Sequence, residues 1–324
     1  MVRAFLIVLD GSEWINLKRK GSNADTGCVS ALDANRQLAE AGSMADLHPR
    51  PFIPFLVAAS GIAIFSLMDA VMKSLSIDIG AYNAMFWRSV IGTILSGALF
   101  LATRQPWPSA SNLKIHLFRS MLVSVFAILF FWSLTVLPLA EAVGLSFIAP
   151  VMALYFAALL LREKIGKEAI VASVSGIVGV IIIVGSKFSG NYNSGAIWGT
   201  AAVICSAILY AYNLIIARQQ AQRAGPIEIV FFANLFVTVC LSLVAPWYLM
   251  PFEPLHLPYL AIASLLAIIS LLLLSWAYAR AEAQILIPVE YTGFIWAALF
   301  GWYFFDEGLT WATLAGTALI AAGS

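Results

Sequence analysis

Ten apolar stretches, most close to 20 residues long, succeed one another from Phe52 to the end of the chain. About 20 helical residues cross a hydrocarbon core of roughly 30 Å. Within that core every backbone N–H and C=O must find a partner inside the protein. Only helices or a closed barrel meet that demand. A barrel reads as short alternating segments, and these runs are long and continuous. The expected segments are 52–73, 83–102, 115–136, 139–161, 167–186, 195–217, 227–248, 258–280, 282–305 and 309–323. Links as short as Val136-Leu137-Pro138 make sequential helices antiparallel neighbours. The fold class is therefore an all-α polytopic membrane protein. Composition agrees: 61% of residues are hydrophobic and 11% charged, against about 45–50% apolar and 25% charged in soluble domains.

Residues 1–43 differ from the rest of the chain. Their one apolar run, in MVRAFLIVLD, is too short to span, and the remainder is polar and aperiodic. They are expected to be a disordered cytoplasmic extension or an artefact of gene-start assignment, with Met44 opening a more ordinary start. The net charge of +1 argues against a nucleic-acid partner. Cys28, Cys205 and Cys240 lie far apart and read as small buried side chains rather than metal ligands. His48, His116 and His256 fall at or outside the expected helix ends. No metal or other cofactor is expected.

Orientation is read from Lys and Arg, which collect in cytoplasmic loops. With the N-terminus inside, eight positive residues fall in inner loops (Arg104, Lys114, Arg162, Lys164, Lys167, Arg218, Arg223 and Arg280). Two, Lys73 and Lys187, fall in outer ones. Both termini are then cytoplasmic, as expected in a bacterial inner membrane.

The second half echoes the first. Asp69 matches Asn213 and Glu163 matches Glu307, each at an offset of 144. Ala-Glu-Ala recurs at 140–142 and 281–283, and Phe86-Trp87-Arg88 matches Phe232-Ala233-Asn234. The chain divides into five-helix units at 52–186 and 195–324. Five is odd, so the second unit enters the membrane from the opposite face. Inverted repeats are a recurrent architecture of secondary transporters, with the substrate between the halves.

The segments ALLLREKIG at 158–166, with Pro150 upstream, and IPVEYTGFIWAALFGWYFFDEGLTWATLAGTALIAAG at 287–323 resemble the two copies of the repeat in the drug/metabolite transporter superfamily, in its EamA-type ten-helix branch. The resemblance covers residues 52–324. It implies transport and says little about substrate. The tail is similar to members described as S-adenosylmethionine uptake carriers.

The polar residues within the apolar runs are the candidate site, since charge in a membrane is expensive. Asp69 and Arg88 flank the first outer loop at similar depth. They read either as a hairpin-locking ion pair or as a cavity pair that binds substrate. Asn213 is the second-half counterpart of Asp69. Pro288 frees a backbone carbonyl beside Glu290, a substrate or proton site or else a packing group, and beside Tyr291. Trp132 and Trp276 are candidate cavity walls. Glu307 is expected to anchor the helix after it, and Arg119 to snorkel. No H-E-x-x-H, G-x-S-x-G, P-loop or dinucleotide fingerprint occurs, so no enzyme is expected. The reading is a carrier of a small polar or amphipathic metabolite, such as S-adenosylmethionine or an amino acid. Its driving force is left open between proton exchange, counter-substrate exchange and facilitation. The alternatives are a membrane-embedded lipid-modifying enzyme, a receptor or a structural subunit.

Overall fold

The computed structural model describes residues 52–149, 194–221, 223–251, 253–278 and 292–323, with scattered positions between 152 and 185. Residues 1–43, Pro150, Glu163, Glu282, Pro288, Glu290, Tyr291 and the side chain of Trp276 lie outside the described residues. Four helices of the first half are α1 (Phe52–Ile79), α2 (Ala81–Ala102), α3 (Ala110–Ser133) and α4 (Leu139–Ser146). Five of the second half are α5 (Ser194–Ala221), α6 (Pro226–Ser242), α7 (Leu257–Tyr278), α8 (Thr292–Phe305) and α9 (Trp311–Gly323). Among the described residues five helices are long and apolar enough to cross a membrane, and α6 and α8 are shorter apolar helices.

Local chemistry explains the helix ends. Gly80 joins α1 to α2 at φ 81°, a conformation that favours glycine. Asn83 then donates to Ile79 O at 2.9 Å, satisfying a carbonyl at the end of α1, and its own Oδ1 accepts from Met250 N at 2.9 Å. Ser109 caps α3 by accepting from Asn112 N at 3.3 Å. Pro226 opens α6, where its missing N–H costs no helical bond. Gly225 precedes it and turns α5 into α6. The Gly80 turn and the Gly225 turn mark opposite ends of the bundle.

The helices pack in a pattern that repeats. α1 runs along α7, and α3 runs along α5. α2 touches α7, and α6 touches α3; α1 touches α8, and α5 touches α4. The α2–α6 and α4–α8 contacts complete the set. Exchanging α1 with α5, α2 with α6, α3 with α7 and α4 with α8 maps this set onto itself. α1 runs toward the Gly80 end and α5 away from it, so the two halves have opposite sense in the bundle. Small residues sit at the crossings, as expected where lipid supplies no hydrophobic drive between helices. A Cβ on Gly92 of α2 would stand 2.6 Å from Asn234 Oδ1 of α6, and one on Gly61 of α1 would stand 2.9 Å from Leu274 Cγ of α7.

Some boundaries move. α1 continues to Ile79 rather than stopping near residue 73, so Lys73 is a helix residue, 3% exposed, and not a loop charge. α3 starts at Ala110, which places His116 and Arg119 about six and nine residues inside it. The seventh segment ends at Ser242, with a short turn beyond it at Ala245–Tyr248.

Candidate functional site

Among the described residues three polar assemblies interrupt the apolar interior. The first is Asp69 and Arg88. Asp69 lies about 11 residues before Gly80 and Arg88 about eight after it. They are thus staggered by roughly 4.5 Å along the hairpin, not level as the sequence suggests. Asp69 is 5% exposed and accepts no hydrogen bond among the described residues. Arg88 is the charge that acts on it, beyond ion-pair contact distance. The guanidinium sends one N–H to Met85 Sδ at 3.2 Å, while its buried Nε has no partner. Ser264 of α7 donates to the Arg88 carbonyl at 2.9 Å, tying the neighbouring helix to this point. An acid and a base therefore stand between α1, α2 and α7 without neutralising one another by contact. Buried charges left so are costly unless something else satisfies them.

The second assembly closes the Gly80 end. Lys73 Nζ of α1 pairs with Glu307 Oε1 in the α8–α9 link, donates to Leu137 O at 2.7 Å and lies 5.1 Å above the Phe305 ring. The other Glu307 oxygen accepts from Leu139 N at 2.7 Å. Glu307 thus caps α4, the helix of the other half, whereas Thr310 caps the α9 turn by accepting from Thr313 N at 3.2 Å. The expectation that Glu307 anchors the helix after it is corrected. A small cleft lies here, bordered by Pro138, Glu141, Gly301, Glu307 and Thr310. Glu141, in the first turn of α4, is buried and acts electrostatically on Lys73.

The third lies toward the Gly225 end. Arg119 Nε donates to Asn213 Oδ1 at 3.0 Å, and Arg119 Nη1 donates to Gln220 Oε1. The Gln220 amide nitrogen meets His116 Nδ1, and His116 Nε2 meets Glu228 Oε1 at 3.1 Å. One continuous chain joins α3, α5 and α6. Arg119 does not snorkel. It is half-buried and held by two amide oxygens.

Asn213 thus belongs to the third assembly and not to the Asp69–Arg88 pair. Trp132, near the end of α3, is 41% exposed. Sequence reasoning missed Lys73, His116, Gln220 and Glu228. A signal was present for one of them. His116 and Arg119 are three apart and share a helical face with buried Ser120 and Ser124.

The bundle is that of an all-α polytopic membrane protein. The EamA-like transporter family matches residues 52–185 and again 197–324, and the chain belongs to that family. The chain is 27% identical to a pseudopaline exporter of Pseudomonas aeruginosa over 268 residues, 82% of this chain and 92% of the exporter. It is 25% identical to human solute carrier family 35 member G1 over 92% of this chain and 84% of that one. It is 22% identical to an S-adenosylmethionine uptake transporter of Rickettsia prowazekii over 79% and 85% of the two chains. A protein crystal structure superposes with a TM-score of 0.57 at 16% identity, covering 85% of this chain and 96% of that one, which shows a shared fold.

Proposed function

We propose that this membrane transporter carries a small polar metabolite bearing separate positive and negative groups, by alternating access between its two halves. The carrying observation is the Asp69–Arg88 arrangement: a buried carboxyl and a half-buried guanidinium close enough to act on each other and too far apart to pair. A zwitterionic or amphipathic solute offers Asp69 a cation and Arg88 an anion. S-adenosylmethionine and amino acids have that chemistry, and the similarity to a pseudopaline exporter and to S-adenosylmethionine uptake transporters supports the class. Repeat units at 52–186 and 195–324 supply the two moving bodies. The Gly80 end faces the outside of a bacterial inner membrane and both termini face the cytoplasm. Glu290, Pro288, Tyr291 and Trp276 are proposed as further substrate-binding or coupling residues. Proton or counter-substrate exchange drives the cycle.

The test is flux into proteoliposomes holding the purified protein. Saturable uptake of labelled S-adenosylmethionine or of an amino acid is expected, lost in Asp69→Asn and in Arg88→Gln while both variants still insert and purify as the wild type does. Flux no greater than in empty vesicles across that panel overturns the substrate reading. Lipid turnover without solute flux points to an enzyme instead. Orientation is checked separately with membrane-impermeant thiol reagents. Arg223→Cys should react only from the cytoplasmic side and Tyr248→Cys only from the other.

A further inference from the structure

The hydrogen-bond chain toward the Gly225 end fixes its own protonation state. A carboxylate only accepts hydrogen bonds, so Glu228 requires the proton on His116 Nε2, 3.1 Å away. His116 Nδ1 is then a bare acceptor, and it takes the Gln220 amide N–H. That leaves Gln220 Oε1 to receive Arg119 Nη1. The His116–Gln220–Arg119 relay holds as a whole only while Nδ1 carries no proton; the Nε2–H bond to Glu228 persists when the ring gains one.

We infer that His116 is a proton-binding site whose loading breaks this chain at Gln220 and shifts the contacts between the two halves at the Gly225 end. The inference rests on the alternating-access reading above. A second proton on the ring must sit on Nδ1, where it faces the N–H2 of Gln220. Two donors then oppose each other. Turning the Gln220 amide over relieves that clash but points N–H2 at Arg119, two donors again. With the amide as it stands Gln220 keeps Arg119 and loses His116; turned over, it keeps His116 and loses Arg119, which then holds only Asn213 on α5.

The link concerned crosses between the repeats. His116 and Arg119 are on α3, within the first matched repeat, whereas Asn213, Gln220 and Glu228 are in the second. The charged groups facing His116 are Glu228 from α6 and Arg119 from its own helix; α5 presents the neutral Gln220 amide. Phe232 of α6 lies over the ring, centroids 5.2 Å apart and planes 30° off parallel. It leaves the imidazole to its protein partners. Histidine is the side chain that ordinarily changes charge between pH 5 and 8. The Lys73–Glu307 lock at the opposite end contains no histidine. The proton-binding device stands at one end of the bundle and the Lys73–Glu307 lock at the other.

The test uses the full chain and no substrate. Spin labels go on Ser111→Cys and Arg223→Cys, both exposed and near the Gly225 end, with Cys28, Cys205 and Cys240 replaced by Ala. From pH 8 to pH 5 the label distance should change by about 2 Å, the scale of a helix shift at an interface. In His116→Gln, which still offers Glu228 an N–H but cannot gain a proton, the pH 8 distance should persist at pH 5. A pH response that survives in His116→Gln, or none in the wild type, overturns the inference. Nitrogen-15 histidine resonances in a His48→Asn, His256→Asn background give a second reading that keeps His116 intact. A neutral ring protonated on Nε2 is expected at pH 8; an Nδ1–H tautomer or an imidazolium overturns the assignment. Absent flux together with an intact pH response sinks the carrier reading alone.

Discussion

Removing the charge of Glu307 tests how the Gly80 end is held. Glu307→Gln keeps an oxygen for Leu139 N–H, 2.7 Å away, so the cap on α4 survives. What disappears is the partner of Lys73, whose side chain is 4% exposed against 18% for Glu307. Breaking a buried pair by removing one partner costs about 3–5 kcal/mol. Because Glu307 is partly open to solvent, the lower end applies, about 3 kcal/mol. Part of the Lys73 charge is still met by Leu137 O at 2.7 Å and by the Phe305 ring. Lys73→Met alone strands Glu307, which can turn to water, and should cost less. The double variant replaces the pair with one apolar and one neutral group, an exchange that is often near neutral. The assay is a double-mutant cycle on unfolding in detergent, with an expected coupling of about 1.5–3 kcal/mol. Additive losses, or a Glu307→Gln variant as stable as the wild type, would refute a pair that holds this end.

Asn83→Ala removes the bonds to Ile79 O and Met250 N; a loss of about 1–2 kcal/mol is expected in chemical unfolding. Gly316→Ala places a Cβ 2.6 Å from the backbone oxygen of Gly179, which cannot swing aside; about 1–3 kcal/mol of overpacking should appear as a lower melting temperature. Trp132→Leu, at a position that is 41% exposed, should leave stability within about 0.5 kcal/mol and saturable flux unchanged. A large flux defect there would support Trp132 as a cavity wall.

Much of the architecture is readable from the chain alone. The apolar runs announce helices because each crossing must satisfy its own backbone, a requirement met within one segment. The echo of the first half in the second is legible because duplication keeps offsets, and the family matches at 52–185 and 197–324 agree. Boundaries are less legible. Lys73 looks like a loop charge because nothing local shows that α1 runs on to Gly80, where a positive φ turns the chain. Arg119 looks able to snorkel because a helix start near 115 places it close to a helix end. Ser109 instead caps α3 earlier and draws Arg119 inward. Glu307 carries no local sign that its partner is an N–H of α4.

The chain by itself determined that it spans a bilayer repeatedly, in two related halves, with charges it cannot leave in lipid. Those are properties of single segments and of their spacing. Which charges meet was decided by tertiary structure alone. Lys73 and Glu307 are 234 residues apart, His116 and Glu228 are 112 apart, and Arg119 and Gln220 are 101 apart. A helical period tells which side of a helix a residue occupies. It does not tell which other helix lies against that side. Close approaches at residues such as Gly61 and Gly92 set the crossings of α1 on α7 and of α2 on α6.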